Sequence, residues 1–166
     1  MGSLRYGALT RKPSETEWSL GQMYMHLAGA ALFMQPRNAE ACREQALVSA
    51  PAASGKTEAG QAVFEGGGFP PIRIQVPASK QTTPPQPESK EQIRQGLKQV
   101  VQRMRELEPT LDSIPGAYTV EHPRLGGLNG KEWFVLVEMH YRHHLRQKER
   151  LDAFLNGTPI EQSAEQ

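Results

Sequence analysis

Residues 129–156 read NGKEWFVLVEMHYRHHLRQKERLDAFLN. The spacing predicts one helix. Asn129 with Glu132 three residues on makes a capping box with Asn as the cap, and Asn156-Gly157 is a C-terminal stop. Alternating steps of four and three pick out Trp133, Val137, His140, His144, Gln147, Leu151 and Phe154. That is the stripe a helix buries in a bundle. Two histidines and a glutamine occupy positions where leucines belong, and buried polar groups need partners. His140 and His144 are one turn apart on one face, so both imidazoles can reach one ion. His143 sits about a hundred degrees round the helix and faces elsewhere.

Working outward, two further segments carry the same periodicity. Trp18 introduces a helix to about Gln35, opened by the box Ser19-x-x-Gln22 and stopped by Pro36, with Met23, His26, Ala30 and Phe33 on its seam. His26 is thus a third histidine on a predicted buried stripe. Ser89 and Gln92 open another helix whose seam, Ile93, Leu97, Val100, Met104 and Leu107, is wholly apolar, and Pro109 ends it. The expected core is Trp133, Val137, Leu151, Ile93, Leu97, Val100, Met104, Leu107 and Phe33. Residues 38–48 and 57–64 read as weaker helices, and residues 3–9 as one or two turns.

Between these lie loops. Residues 66–87 hold three glycines and six prolines and read as a helix-free connector crossing the outside of the bundle, with Ile72, Ile74 and Val76 as one short extended run. Residues 110–128 read as a loop, and 158–166 as a frayed tail. Strand signals are almost absent. The expectation is a single all-α domain, a four-helix bundle with a long Pro/Gly-rich crossover.

Composition narrows the functional classes. The chain has 166 residues and a net charge of +1, which supplies no basic field for nucleic acid or anionic lipid. No apolar run approaches the ~20 residues that span a bilayer, and no signal-peptide pattern opens the chain. The single Cys42 excludes internal disulfides and fits a reducing, cytoplasmic setting; it reads as a small, semi-buried side chain.

His26, His140 and His144 form the constellation with chemistry. Imidazole suits zinc, nickel or a similar divalent ion, and three protein ligands leave positions open, the catalytic arrangement. Neutral imidazole is the ligand, so metal should be lost as pH falls through the histidine range, near ~6.5 for an unperturbed group. The plain alternative is three hydrogen-bonded core histidines. Gln22 and Gln147, near His26 and His144 on their helices, are candidates to orient a ligand or substrate. Tyr141 and His122 are candidates for proton transfer. A Glu-x-x-His pair, a His-Glu-x-x-His run and a cysteine pair are all missing. Residues 50–57 (APAASGKT) match a relaxed phosphate-loop pattern, but no strand precedes them, and they read as a chance match.

Three motifs together carry a family resemblance: Trp18-Ser19-x-Gly21-Gln22-x-x-x-His26, His122-Pro123-x-x-Gly126-x-Leu128-x-x-x-x-Trp133, and His140-x-x-His143-His144-x-x-Gln147. The sequence resembles the DinB-like superfamily, also described as YfiT-like metal-dependent hydrolases, over residues 18–35 and 88–156. The resemblance implies a bacterial four-helix bundle, often a homodimer, with a divalent metal on His26, His140 and His144. It also implies hydrolysis of a small-molecule electrophile, or its attack by a low-molecular-weight thiol of the bacillithiol, mycothiol or glutathione type. The alternative is a non-catalytic dimerising bundle with a structural or vestigial metal site. The chain departs from the family in its short, broken first helix and its long connector.

Overall fold

The computed structural model describes residues 5–48, 54–71 and 83–157. The helices are α1 (Tyr6–Leu9), α2 (Leu20–Phe33), α3 (Gln35–Val48), α4 (Glu58–Glu65), α5 (Lys90–Leu107), α6 (Gly130–His143) and α7 (Leu145–Leu155). A 3₁₀ turn (Glu108–Ser113) and two strands, β1 (Thr119–His122) and β2 (Gly126–Asn129), lie between α5 and α6. The fold is an all-α bundle whose main members are α2, α3, α5 and α6–α7. Its helix starts follow the caps. Ser19 Oγ accepts from Gln22 N while Gln22 Oε1 accepts from Ser19 N, and Asn129 with Glu132 repeats the arrangement. Ser89 and Thr57 cap α5 and α4 through their hydroxyls. Each cap satisfies amides that a helix end leaves without partners.

The core forms where the stripes meet. Leu20, Met23 and Leu27 of α2 pack with Ile93 of α5 and Leu151 of α7. Further along, Ala28 and Ala31 meet Val100 and Val137. Hence α2 and α5 run the same way and α6–α7 runs against both. Trp133 is fully buried, with its indole N–H donating to Val120 O; truncating such a residue costs about 3–5 kcal/mol. Ile93, Val100, Leu107, Val137 and Leu151 are buried as expected, and Leu97 and Met104 partly so. Phe33 departs from expectation, being 76% exposed. The buried stripe of α2 advances by fours, Met23 to Leu27 to Ala31, so the three-residue steps through Ala30 to Phe33 turn away from the core.

Two expected helices differ in extent. The one expected to stop at Pro36 ends at Phe33, and Pro36 instead lies in the first turn of α3, where its missing N–H costs nothing. The one expected over 129–156 is interrupted at His144, whose N–H is shared between His140 O (3.3 Å) and Tyr141 O (3.1 Å).

The stretch expected to be an unstructured loop contains an antiparallel hairpin, with Thr119 opposite Asn129 and His122 opposite Gly126. Residues 54–57 lie across it: Thr57 N donates to Leu125 O and Gly127 N to Gly55 O. Glycine is required there, since a Cβ on Gly127 would sit 2.1 Å from Ser54 O. This disposes of the phosphate-loop match. Thr57 caps α4, Lys56 pairs with Glu132, and the Thr57 amide is spent on the hairpin; residues 50–53 lie outside the described residues. Residues 66–71 and 83–89 carry no helix, and the expected extended run over 72–76 lies outside the described residues. The connector's end is tied to the start of α2. Gln22 Nε2 donates to Pro84 O, Ser19 Oγ to Gln86 Oε1 and Tyr6 Oη to Pro87 O, each at 2.8 Å.

Candidate metal centre

His26 comes from the middle of α2, His140 from the last turn of α6, and His144 from the joint between α6 and α7. Because α2 and α6–α7 run antiparallel, the three rings meet. His140 Nε2 is 3.0 Å from His26 Nε2 and 3.2 Å from His144 Nε2. Among the described residues these are the only His, Cys, Asp or Glu side chains gathered closely enough to hold an ion. Nitrogens ~2.0–2.1 Å from a common ion lie about 2.9 Å apart at right angles and about 3.4 Å apart at the tetrahedral angle. The two observed separations fall between, so three nitrogens on one side of a divalent cation fit the cluster.

The protonation states fit as well. Burial, then the neighbouring His144, lowers His26 to about 4. Burial, then the surrounding imidazoles beginning with His26, lowers His140 to about 3. His144 is lowered by burial and partly restored by its hydrogen bond to Gln147. All three are therefore neutral near pH 7, the form that ligates. His144 Nδ1 lies 2.7 Å from Gln147 Oε1. An amide oxygen only accepts, so Nδ1 carries the proton and Nε2 turns its lone pair to the cluster. His140 Nδ1 is buried with no hydrogen-bond partner among the described residues.

The other expected residues are placed as follows. Gln22 spends its amide on Ser19 N and Pro84 O. Tyr141 packs between two parts of the core, its hydroxyl buried without a partner and pushed up by burial to about 12. His122 Nδ1 accepts from Arg124 N and Leu125 N, closing the hairpin turn, and its ring lies 5.4 Å from Trp133. His143 stands outside the cluster, with its ring 5.4 Å from His144 and 5.3 Å from Phe69. The sequence reading gave Trp18 no part in the site, yet its ring lies 5.0 Å from His26. The available signal was its place just before the cap Ser19, where a hydrophobic residue packs back onto the helix.

No curated protein and no solved structure matches the chain. The family model of the DinB superfamily matches residues 2–147, a span that takes in all three histidines and Gln147. On a match of that extent, the chain belongs to the DinB superfamily.

Proposed function

We propose that the chain is a metal-dependent enzyme, a hydrolase or thiol S-transferase, acting on a small-molecule electrophile at a divalent cation, zinc or nickel, held by His26, His140 and His144. The observation that carries this reading is the convergence of three neutral imidazoles with the His144 tautomer set by Gln147. A cation bound by three protein nitrogens supplies Lewis acidity and lowers the pKa of water or thiol in its open positions. The protein supplies the rest. Gln147 holds the His144 ring, and Trp18 shields one side of His26. Tyr141 keeps its proton at neutral pH, so its assigned role is donor rather than base. His122, occupied with its own turn, is assigned to structure. No helix among the described residues is long and apolar enough to cross a membrane; a cytoplasmic homodimer completes the proposal.

The test is elemental analysis of the purified protein followed by a screen of electrophiles with water, bacillithiol, mycothiol or glutathione as the nucleophile. Turnover that disappears in His144→Ala supports the reading. Bound metal without turnover under any combination favours the non-catalytic bundle with a structural ion.

A further inference from the structure

We propose that a cleft beside the metal centre binds the oxyanion group of a small molecule, and that this group anchors the substrate. The anchoring role rests on the enzymatic reading above; the binding itself does not. The cleft encloses about 200 Å³ and is lined by Phe69, Met139, Arg142, His143 and Arg146 among others. Arg142 lies in the last turn of α6 and Arg146 in the first turn of α7, on either side of the joint at His144, and both side chains line the cleft. Backbone carbonyls hold them in place: Arg142 Nη2 donates to Gly67 O and Arg146 Nη1 to Pro71 O. Arg142 also pairs with Glu138 through Nε and Nη2, which leaves Nη1. That nitrogen faces Gly68, where a Cβ would stand 3.3 Å away, so the glycine keeps the approach open. Among the described residues no carboxylate pairs with Arg146.

The cleft therefore carries one uncompensated guanidinium, beside a second whose outer nitrogen is open. The remaining donors of Arg146 and the open Nη1 of Arg142, on side chains already fixed by the backbone, suit a carboxylate or phosphate and lose little freedom on binding it. A divalent cation is repelled by the uncompensated Arg146. The remaining lining is apolar and aromatic. Met139 is buried, and the Phe69 and His143 rings lie 5.3 Å apart. A ligand with an oxyanion at one end and a flat or aliphatic body matches that combination. His143, which walls the cleft, has its ring 5.4 Å from His144, so the cleft lies one imidazole away from the three-histidine centre.

The experiment titrates inorganic phosphate and, separately, benzoate into chelator-treated protein, followed by calorimetry and amide shifts. Stripping the metal prevents an ion from taking the anion. Saturable binding is expected, weakened about tenfold or more by Arg146→Gln, the loss of a charge-assisted pair. Arg146→Lys, which keeps the charge but not the fork, falls between. Phe69→Ala weakens benzoate and spares phosphate if the body of the ligand uses the aromatic wall. His26→Ala, which removes the metal centre from the α2 side and does not touch the cleft, leaves both unchanged. The site is overturned if neither probe saturates, if Arg146→Gln binds as the parent does, or if His26→Ala abolishes binding. Once turnover of an anionic substrate is in hand, Arg146→Gln should raise KM and leave kcat in place; an unchanged KM overturns the anchoring role alone. Anion binding without any turnover sinks the enzymatic reading and leaves the cleft standing.

Discussion

His144 donates its Nδ1 proton to Gln147 Oε1 across 2.7 Å, three residues further along the chain. This bond fixes which nitrogen of His144 faces His140 and His26. Gln147→Ala should lower metal affinity roughly 10–100-fold, the usual cost of losing the partner that orients a metal-ligating histidine. Gln147→Glu keeps the acceptor and should keep the affinity. Competition against a chromogenic chelator measures both, and equal affinity for parent and Gln147→Ala would refute the orienting role.

Removing the ligands one at a time should separate them from their neighbour. His26→Ala, His140→Ala and His144→Ala should each lose most bound metal, while His143→Ala, outside the cluster, should retain it. Metal per chain by elemental analysis decides. Loss in His143→Ala equal to that in His144→Ala, or full retention in His144→Ala, contradicts the assignment.

The pH dependence follows from burial. His26 and His140 titrate in the folded protein at about 4 and about 3, against about 6.5 in the unfolded chain. As pH falls from 6.5, the unfolded state takes up these protons first. The metal-free protein should be most stable above that pH and should lose stability toward pH 4, by up to about 1.4 kcal/mol per pH unit for each such histidine. Metal should also survive to lower pH than free imidazole allows, moving its half-loss below about 6.5. Melting temperatures in chelator between about pH 7.5 and pH 4.5, a range that spans the unfolded-chain value, test the first statement; a flat or rising trend on acidification would disprove it.

Gly127→Ala should destabilise the protein by about 2 kcal/mol or more, because the new Cβ would meet Ser54 O at 2.1 Å and force residues 54–57 off the hairpin. A melting temperature equal to that of the parent would show that this contact can relax.

Much of the metal centre could be read from spacing. Three histidines on helical stripes, together with the family motifs, name the residues the fold brings together. The starts of α2, α5 and α6 were equally readable, because their caps are local, whereas α3 begins at Gln35 rather than at the expected residue 38. What escaped was set by tertiary structure. Nothing in Tyr141-Arg142-His143-His144-Leu145 breaks a helix by propensity, yet the chain is interrupted at His144. The hairpin has short strands and two glycines, and part of its support comes from Lys56, which bridges to Gly126 from far back in the sequence. Phe33 was misplaced because a seam of threes and fours and a stripe of fours diverge by the third turn of α2.

The interruption at His144 gives the centre a mechanical side. His140 sits in the last turn of α6, His144 is the joint, and α7 departs from it with Gln147, Arg146 and Leu151 aboard. An ion held by His26, His140 and His144 would act as a splint across that joint and rivet it to α2. Loading the centre would then also set the heading of the C-terminal helix. The free energy of coordination would reach Leu151 and its seat against Ile93 as stiffness, without any change in the side chains that make that contact.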